Sequence, residues 1–159
     1  LAGVKEHPNP KYYIQQFSLD SGMVAEILFL AEQDIMNKIV FVPACGTGRF
    51  AIGAALLGAK EVHGIDVDKD ALEIASKNAE DIQERTGVPL SRICKWVWSD
   101  IKRLKGRCDT VIQFPPVNKD EEFLKKGLEI GKVVYSIHPF SKKKERVLRN
   151  LCKILTQIS

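Results

Sequence analysis

One stretch constrains this chain more than any other: Phe41-Val-Pro-Ala-Cys-Gly-Thr-Gly-Arg-Phe50, followed by Glu61-Val-His-Gly-Ile-Asp-Val-Asp68. The residue types read in order as strand, tight glycine turn, helix, strand and terminal carboxylate. Glycines at 46 and 48 permit a sharp turn and let the backbone approach a ligand closely. A carboxylate ending the next strand can accept hydrogen bonds from two ribose hydroxyls. The pattern points to an α/β sheet that holds an adenosine-containing cofactor, with Gly46, Gly48 and Asp66 at the contact. The other reading of Asp66 is a solvated carboxylate at a strand end.

The rest of the chain supplies the alternation such a sheet requires. Ser18 to Asp34 has helical periodicity behind a Ser/Asp start signal. Lys38 to Pro43 reads as a strand, Phe50 to Leu57 as a small-residue helix ended by Gly58, and Glu61 to Asp66 as a second strand. Asp68 opens a helix to about Thr86, with Leu72, Ile74, Ala75 and Ala79 inward and Gly87 closing it. Then follow strands at Arg92–Trp98 and Asp109–Gln113, a helix at Lys119–Ile130, a strand at Lys132–Ile137 and a helix from Ser141 to about Ile154. Strands alternating with helices predict a three-layer, doubly wound, mostly parallel sheet.

With 159 residues the chain suits one domain. It divides into an N-terminal segment and helix (1–36), a cofactor-binding core (37–138) and a basic C-terminal helix (139–159). The chain opens at Leu1, as expected of a segment of a longer protein. No apolar run is long enough to span a bilayer and no secretory leader is evident, so the expected location is cytoplasmic. Cys45, Cys94, Cys108 and Cys152 form no C-x-x-C pair, which argues against a zinc site and a disulfide framework; no metal is expected. The net charge of +4 is concentrated in Lys102, Arg103, Lys105 and Arg107 and in Lys142, Lys143, Lys144, Arg146, Arg149 and Lys153. Such clusters either neutralise nucleic-acid phosphates or form a solvated helix face. Ser141 reads as an N-cap, which would put three lysines in a first helical turn, where the dipole disfavours cations. An anionic partner is a reason for that choice.

Pro43-Ala-Cys-Gly-Thr-Gly48, Ala51 to Ala59 and Gly64-Ile-Asp-Val-Asp-Lys-Asp-Ala-Leu-Glu-Ile-Ala75 resemble class I S-adenosylmethionine-dependent methyltransferases. Asp109-Thr-Val-Ile-Gln-Phe-Pro-Pro-Val117 and Val133-Val-Tyr-Ser-Ile-His138 narrow the resemblance. They are similar to the archaeal and eukaryotic branch that methylates the exocyclic amine of an adenine in ribosomal RNA. Ile14-Gln-Gln-Phe17 resembles that branch's L-E-Q-Y signature. Ala51 at the third glycine position is tolerated in dinucleotide-binding turns, so the turn alone does not exclude a dehydrogenase; the Pro-Pro motif does. The resemblance implies S-adenosylmethionine as cofactor. Phe17, Cys45, Gly46, Gly48, Asp66 and Asp100 would contact it, with Asp100 near the adenine amine, although a helix N-cap explains Asp100 equally well. It also implies an RNA partner held through Lys142, Lys143, Lys144 and Arg146.

Several positions depart from the family pattern. Val42 replaces the acidic residue that ends the first strand, and Gln15 replaces the signature glutamate. The signature threonine falls at Leu19, with Ser18 and Ser21 nearby. The motif [N/D]-P-P-[F/Y/W], whose side-chain oxygen and first proline carbonyl accept hydrogen bonds from the target amine, reads Phe114-Pro115-Pro116-Val117. Losing that acceptor costs a few kcal/mol, roughly a hundredfold in rate. Gln113 restores an amide oxygen only if the loop shifts register by one, and Phe114 would then stack on the base; otherwise Phe114-Pro-Pro closes a hydrophobic loop. The terminal antiparallel strand pair of class I enzymes is also missing, which exposes the fifth strand as an edge. A small zinc-ribbon activator subunit of the kind the family uses, or a homodimer, would cover it. Three functional readings stand: an RNA adenine methyltransferase, a catalytically inactive RNA-binding or partner subunit, and a methyltransferase acting on a small molecule or protein.

Overall fold

The computed structural model describes residues 1–8, 19–139, 141–143 and 145–149. Its central strand β1 (Ile39–Pro43) explains the layering. Alternate side chains of a strand point to opposite faces, and here both sets are apolar. Val40 and Val42 enter one buried cluster and Phe41 enters another. A strand apolar on both sides must be covered on both sides.

The remaining strands are β2 (Glu61–Asp66), β3 (Cys94–Trp98), β4 (Cys108–Gln113) and β5 (Gly131–Ser136). They assemble in the order β3-β2-β1-β4-β5, and every pairing is parallel. On one face α1 (Ser21–Leu30), α3 (Arg49–Leu56) and α4 (Lys69–Thr86) bring Val24, Leu28, Ala51, Ile52, Leu72 and Ala79 against Val40 and Val42. On the other, α6 (Asp120–Ile130) brings Phe123 and Ile130 against Phe41 and Val111. Ile101, from a single 3-10 turn, and Leu104 complete that cluster. The predicted doubly wound α/β fold is therefore present. Among the described residues the sheet ends at β3 on one side and β5 on the other, with no antiparallel pair.

Local chemistry sets the element ends. Asp20 caps α1 by accepting from Gly22 N–H at 3.0 Å and Met23 N–H at 3.3 Å. Asp68 caps α4 by accepting from Asp70 N–H, and Gly87 ends that helix at φ 76°. Two expectations need correction. The single helix expected from Ser18 to Asp34 is broken at Ala31 into α1 and a four-residue α2 (Glu32–Ile35), while Ser18 lies outside the described residues. The strand expected from Arg92 begins at Cys94, because Leu90–Ile93 forms a short helical turn, α5, whose Leu90 is fully buried. Ile74, expected inward, is half-buried. Helical residues at 142–143 and 145–149 match the start of the predicted last helix; from 150 onward the chain lies outside the described residues.

Candidate functional site

The strand order reverses direction between β1 and β4, and in open parallel sheets the crevice at such a switch point, beyond the carboxyl ends of the strands, is where ligands bind. The predicted residues arrive there from four strands. The glycine turn follows β1, Asp66 ends β2, Asp100 follows β3 and Phe114-Pro-Pro-Val117 follows β4.

The turn and the carboxylate form one unit. Asp66 is buried and accepts hydrogen bonds from Gly46 N–H at 2.8 Å and from Asp68 N–H at 2.9 Å, while Cys45 N–H donates to Ile65 at 3.0 Å. Burial raises the Asp66 carboxyl above its ordinary value; the Asp68 and Gly46 amides oppose the rise and the nearby Asp68 charge adds to it. Gly46 sits at φ 56° with open space where a Cβ would project, so the turn presents bare backbone to the crevice. Gly48 sits at φ 93°, and a Cβ there would lie 2.9 Å from Trp96 and 3.1 Å from Ala75. Gly48→Ala therefore combines backbone strain with overpacking and should destabilise the fold by about 2 kcal/mol, read by chemical denaturation.

Two contributors to this edge were not expected. Asn78 is buried within the inward stripe of α4. Its side-chain amide donates to Thr47 O and Lys5 O at 3.0 Å each, and its oxygen accepts from Lys5 N–H at 3.1 Å. It thus ties the glycine turn to the N-terminal segment, and a polar residue at an apolar helical spacing was the available signal. Replacing Asn78 by Leu keeps the volume but orphans the Lys5 and Thr47 groups; we expect a loss of about 2–4 kcal/mol on denaturation. Val67 and Trp98, 48% and 66% exposed, stand at the ends of β2 and β3, joined by a bond from Trp98 Nε1 to Val67 O at 3.0 Å. They offer exposed apolar surface beside Asp66.

Asp100 is exposed and caps the 3-10 turn by accepting from Lys102 N–H at 2.8 Å, which matches the capping alternative. Val42 is buried in the core. Phe17 and Lys144 lie outside the described residues. Cys45, Cys94 and Cys108 are free and buried, and burial raises their thiols: Cys45 well above its usual value, Cys94 to about 12 and Cys108 to about 11. They are inert as nucleophiles at neutral pH. Among the described residues, His7, Asp68 and Asp70 bring three ligand-type atoms within 4.8 Å of one another, with His7 Nε2 3.3 Å from Asp68.

The end of β4 is in register with β5. Gln113 stays paired with Ser136, fully buried, with its side chain turned toward α6; a Cβ on Gly127 would lie 3.4 Å from its nitrogen. Its amide oxygen is therefore not at the open edge. Phe114 packs, partly buried, against the cluster that contains Val40 and Val42. The Pro116 carbonyl accepts from Lys119 N–H at 3.0 Å, whereas among the described residues no donor reaches the Pro115 carbonyl. An open cleft of about 910 Å³ adjoins the loop, bounded by Ile101, Asn118, Asp120, Lys143 and Val147. Lys142, Lys143 and Arg146 are exposed, as are Lys102, Arg103, Lys105 and Arg107; Lys102 is 3.8 Å from Glu122.

Residues 26–103 match the model of the ribosomal protein L11 methyltransferase (PrmA) family. An uncharacterised protein of Methanocaldococcus jannaschii is 38% identical over 90% of this chain and 69% of its own length. The rRNA N(6)-adenosine-methyltransferase METTL5 of Danio rerio is 31% identical over 89% of this chain and 72% of its own length. The chain belongs to the METTL5 family of class I methyltransferases. The fold agrees: a crystal structure of a suggested RNA methyltransferase from Pyrococcus horikoshii superposes with a TM-score of 0.87 at 32% identity, over 97% of this chain and 75% of that one. METTL5-family proteins are S-adenosylmethionine-dependent, and the bare glycine turn, the carboxylate and the apolar Val67 and Trp98 suit the backbone, ribose and adenine parts of that cofactor. Among the described residues no helix is long and apolar enough to cross a membrane.

Proposed function

We propose that this chain binds S-adenosylmethionine at the carboxyl ends of β1, β2 and β4 and directs its methyl group to the exocyclic amine of an adenine in RNA. The observation that carries this reading is the bond from Gly46 N–H to Asp66, which preorganises the turn and the ribose-binding carboxylate as one unit. The cofactor, when bound, supplies an electrophilic methyl on its sulfonium. Asp66 accepts from the ribose hydroxyls, the backbone of Cys45, Gly46 and Gly48 follows the methionine part, and Asp100 and Phe17 complete the contacts. With Phe114 apolar and Gln113 buried, the Pro115 carbonyl is left to align the amine. Lys142, Lys143, Lys144 and Arg146 neutralise phosphates while the base leaves its stack. The Danio rerio relative's adenosine substrate supports the choice of base.

A second reading is favoured by one observation: no side-chain acceptor stands at 113 or 114 on the open edge. In that reading cofactor and RNA still bind, turnover is absent, and the chain serves as a cytoplasmic RNA-binding or partner subunit.

Calorimetric titration with S-adenosylmethionine and with its demethylated product tests the cofactor part. Micromolar binding supports it, and no heat from demonstrably folded protein overturns it. RNA affinity measured at two salt concentrations tests the rest: a steep loss with salt supports phosphate contact, and no binding at low salt removes RNA as the substrate.

A further inference from the structure

Four polar side chains, with Gln113 and Asp120 buried and Ser136 and His138 partly buried, form one hydrogen-bonded chain beside the Phe114-Pro-Pro-Val117 loop. Gln113, ending β4, donates from its side-chain amide to Ser136 Oγ at 3.0 Å. Ser136 Oγ lies 2.7 Å from His138 Nε2, and His138 Nδ1 lies 2.7 Å from the carboxylate of Asp120 at the start of α6. The His138 and Asp120 side chains are only 12% and 6% exposed, and Gln113 is fully buried. Donors and acceptors match in one direction: the Gln113 amide donates to the hydroxyl, the hydroxyl donates to Nε2, and Nδ1–H donates to Asp120.

The placement of this chain is informative. Gln113 and Asp120 are the residues immediately before and after the loop 114–119, and both are tied to the same end of β5. The main chain adds a third tie, from Ile137 N–H to the Gln113 carbonyl at 2.9 Å. Inside the loop there is one backbone bond, between Lys119 and Pro116, and a left-handed residue, Asn118 at φ 69°. The loop's position is thus fixed from its two ends.

Stability alone does not account for Gln113. Its Oε1 is buried and accepts from no described residue, so its lost hydration is not compensated. The preceding β4 residues Val111 and Ile112 are apolar and buried, so a Leu at 113 would suit the same packing without that cost.

We propose that Gln113, Ser136, His138 and Asp120 form a hydrogen-bonded clamp that holds the loop 114–119, and with it the Pro115 carbonyl, in position for methyl transfer. The use of the clamp rests on the reading that this loop is the reaction edge. All four are positioning residues; none is required to touch the substrate. Because no side-chain acceptor remains on the open edge, the placement of one backbone carbonyl depends on them.

The test compares the full chain with Gln113→Leu, His138→Ala and His138→Asn by amide hydrogen exchange at residues 117–119, melting temperature, and kcat and KM with an RNA oligonucleotide. Gln113→Leu should melt no lower than the parent while loop exchange accelerates at least tenfold. His138→Ala should accelerate it as well, and His138→Asn, which keeps a donor toward Asp120, should recover part of the protection. With turnover present, kcat should fall at least tenfold in Gln113→Leu while KM for the cofactor stays within threefold. Loop exchange within twofold of the parent in both Gln113→Leu and His138→Ala overturns the clamp, as does an unchanged kcat. A protein that gives no heat with S-adenosylmethionine defeats the proposed function instead, and the exchange measurement still decides whether the clamp exists.

Discussion

Replacing Phe114 by Asn should raise methyl transfer to adenine in RNA by at least tenfold, and up to about a hundredfold. A single positioned acceptor or donor in a water-poor site contributes a few kcal/mol to a transition state, and amine methylation depends on aligning one lone pair with the methyl group. Phe114 follows the buried end of β4, with the Pro115 carbonyl directly after it, so an Asn oxygen there would restore the paired acceptors of the family motif. The exchange has a cost in the core, because Phe114 packs against the buried cluster of Val40 and Val42. A loss of about 1–3 kcal/mol of stability is expected, visible as a lower melting temperature. Turnover therefore has to be measured below the variant's melting range, with an adenine-containing oligonucleotide and labelled cofactor. Unchanged turnover in a folded variant that still binds cofactor would mean that the loop no longer addresses a base amine, and would favour the non-catalytic reading.

The second large effect is at Asp66. Asp66→Ala should weaken cofactor binding at least a hundredfold, because two charge-assisted hydrogen bonds to ribose are lost together with the anchor of the glycine turn. It also leaves the Gly46 and Asp68 N–H groups without their acceptor, so the variant should lose about 2–4 kcal/mol of stability. Micromolar binding retained by the variant would refute the ribose role. The same residue makes affinity depend on pH. Burial raises the folded-state carboxyl above 3.8, so between 3.8 and that higher value the native protein holds a proton that the unfolded chain releases. The group's contribution to stability is therefore complete below 3.8 and is lost as pH rises through the folded value. Cofactor binding runs in the opposite sense, since the ionised carboxylate is the better acceptor. On acidification, affinity should fall at a higher pH than an ordinary exposed aspartate would impose, because the Asp66 carboxyl is raised by burial. The same acid dependence of affinity in the parent and in Asp66→Asn would show that the carboxyl does not meet the ribose.

Much of the molecule could be read from its residues, and particular positions show why. Phe41 to Pro43, the glycine pair and the caps at Asp68 and Gly87 state their structure locally. Side-chain alternation, positive φ and first-turn capping each depend on neighbours a few residues apart. Glu61–Asp66 was predicted with its observed bounds for the same reason. The family motifs in their order likewise fall together at one edge of the sheet, since each follows the carboxyl end of a parallel strand.

Other features depended on which strand lies beside which. Period-two alternation says that β4 has two faces, but not that its last residue faces α6 with Ser136 alongside. That follows from β5 being its neighbour, in the register Gln113 to Ser136. That neighbour places the Gln113 side chain in the interior rather than at the open edge. Asn78 has its role only because the turn and the N-terminal segment meet over it, 31 and 73 residues away in sequence. The sequence by itself determined the order of strands and main helices, the caps at Asp68 and Gly87 and the bare-backbone turn, because these rest on short-range sterics and periodicity. The tertiary structure alone decided the burial of Gln113, the chain through Ser136 and His138 to Asp120, and the fixing of the turn by Asn78. Those bonds join segments far apart along the chain, and only the packed sheet order brings their donors within reach of their acceptors.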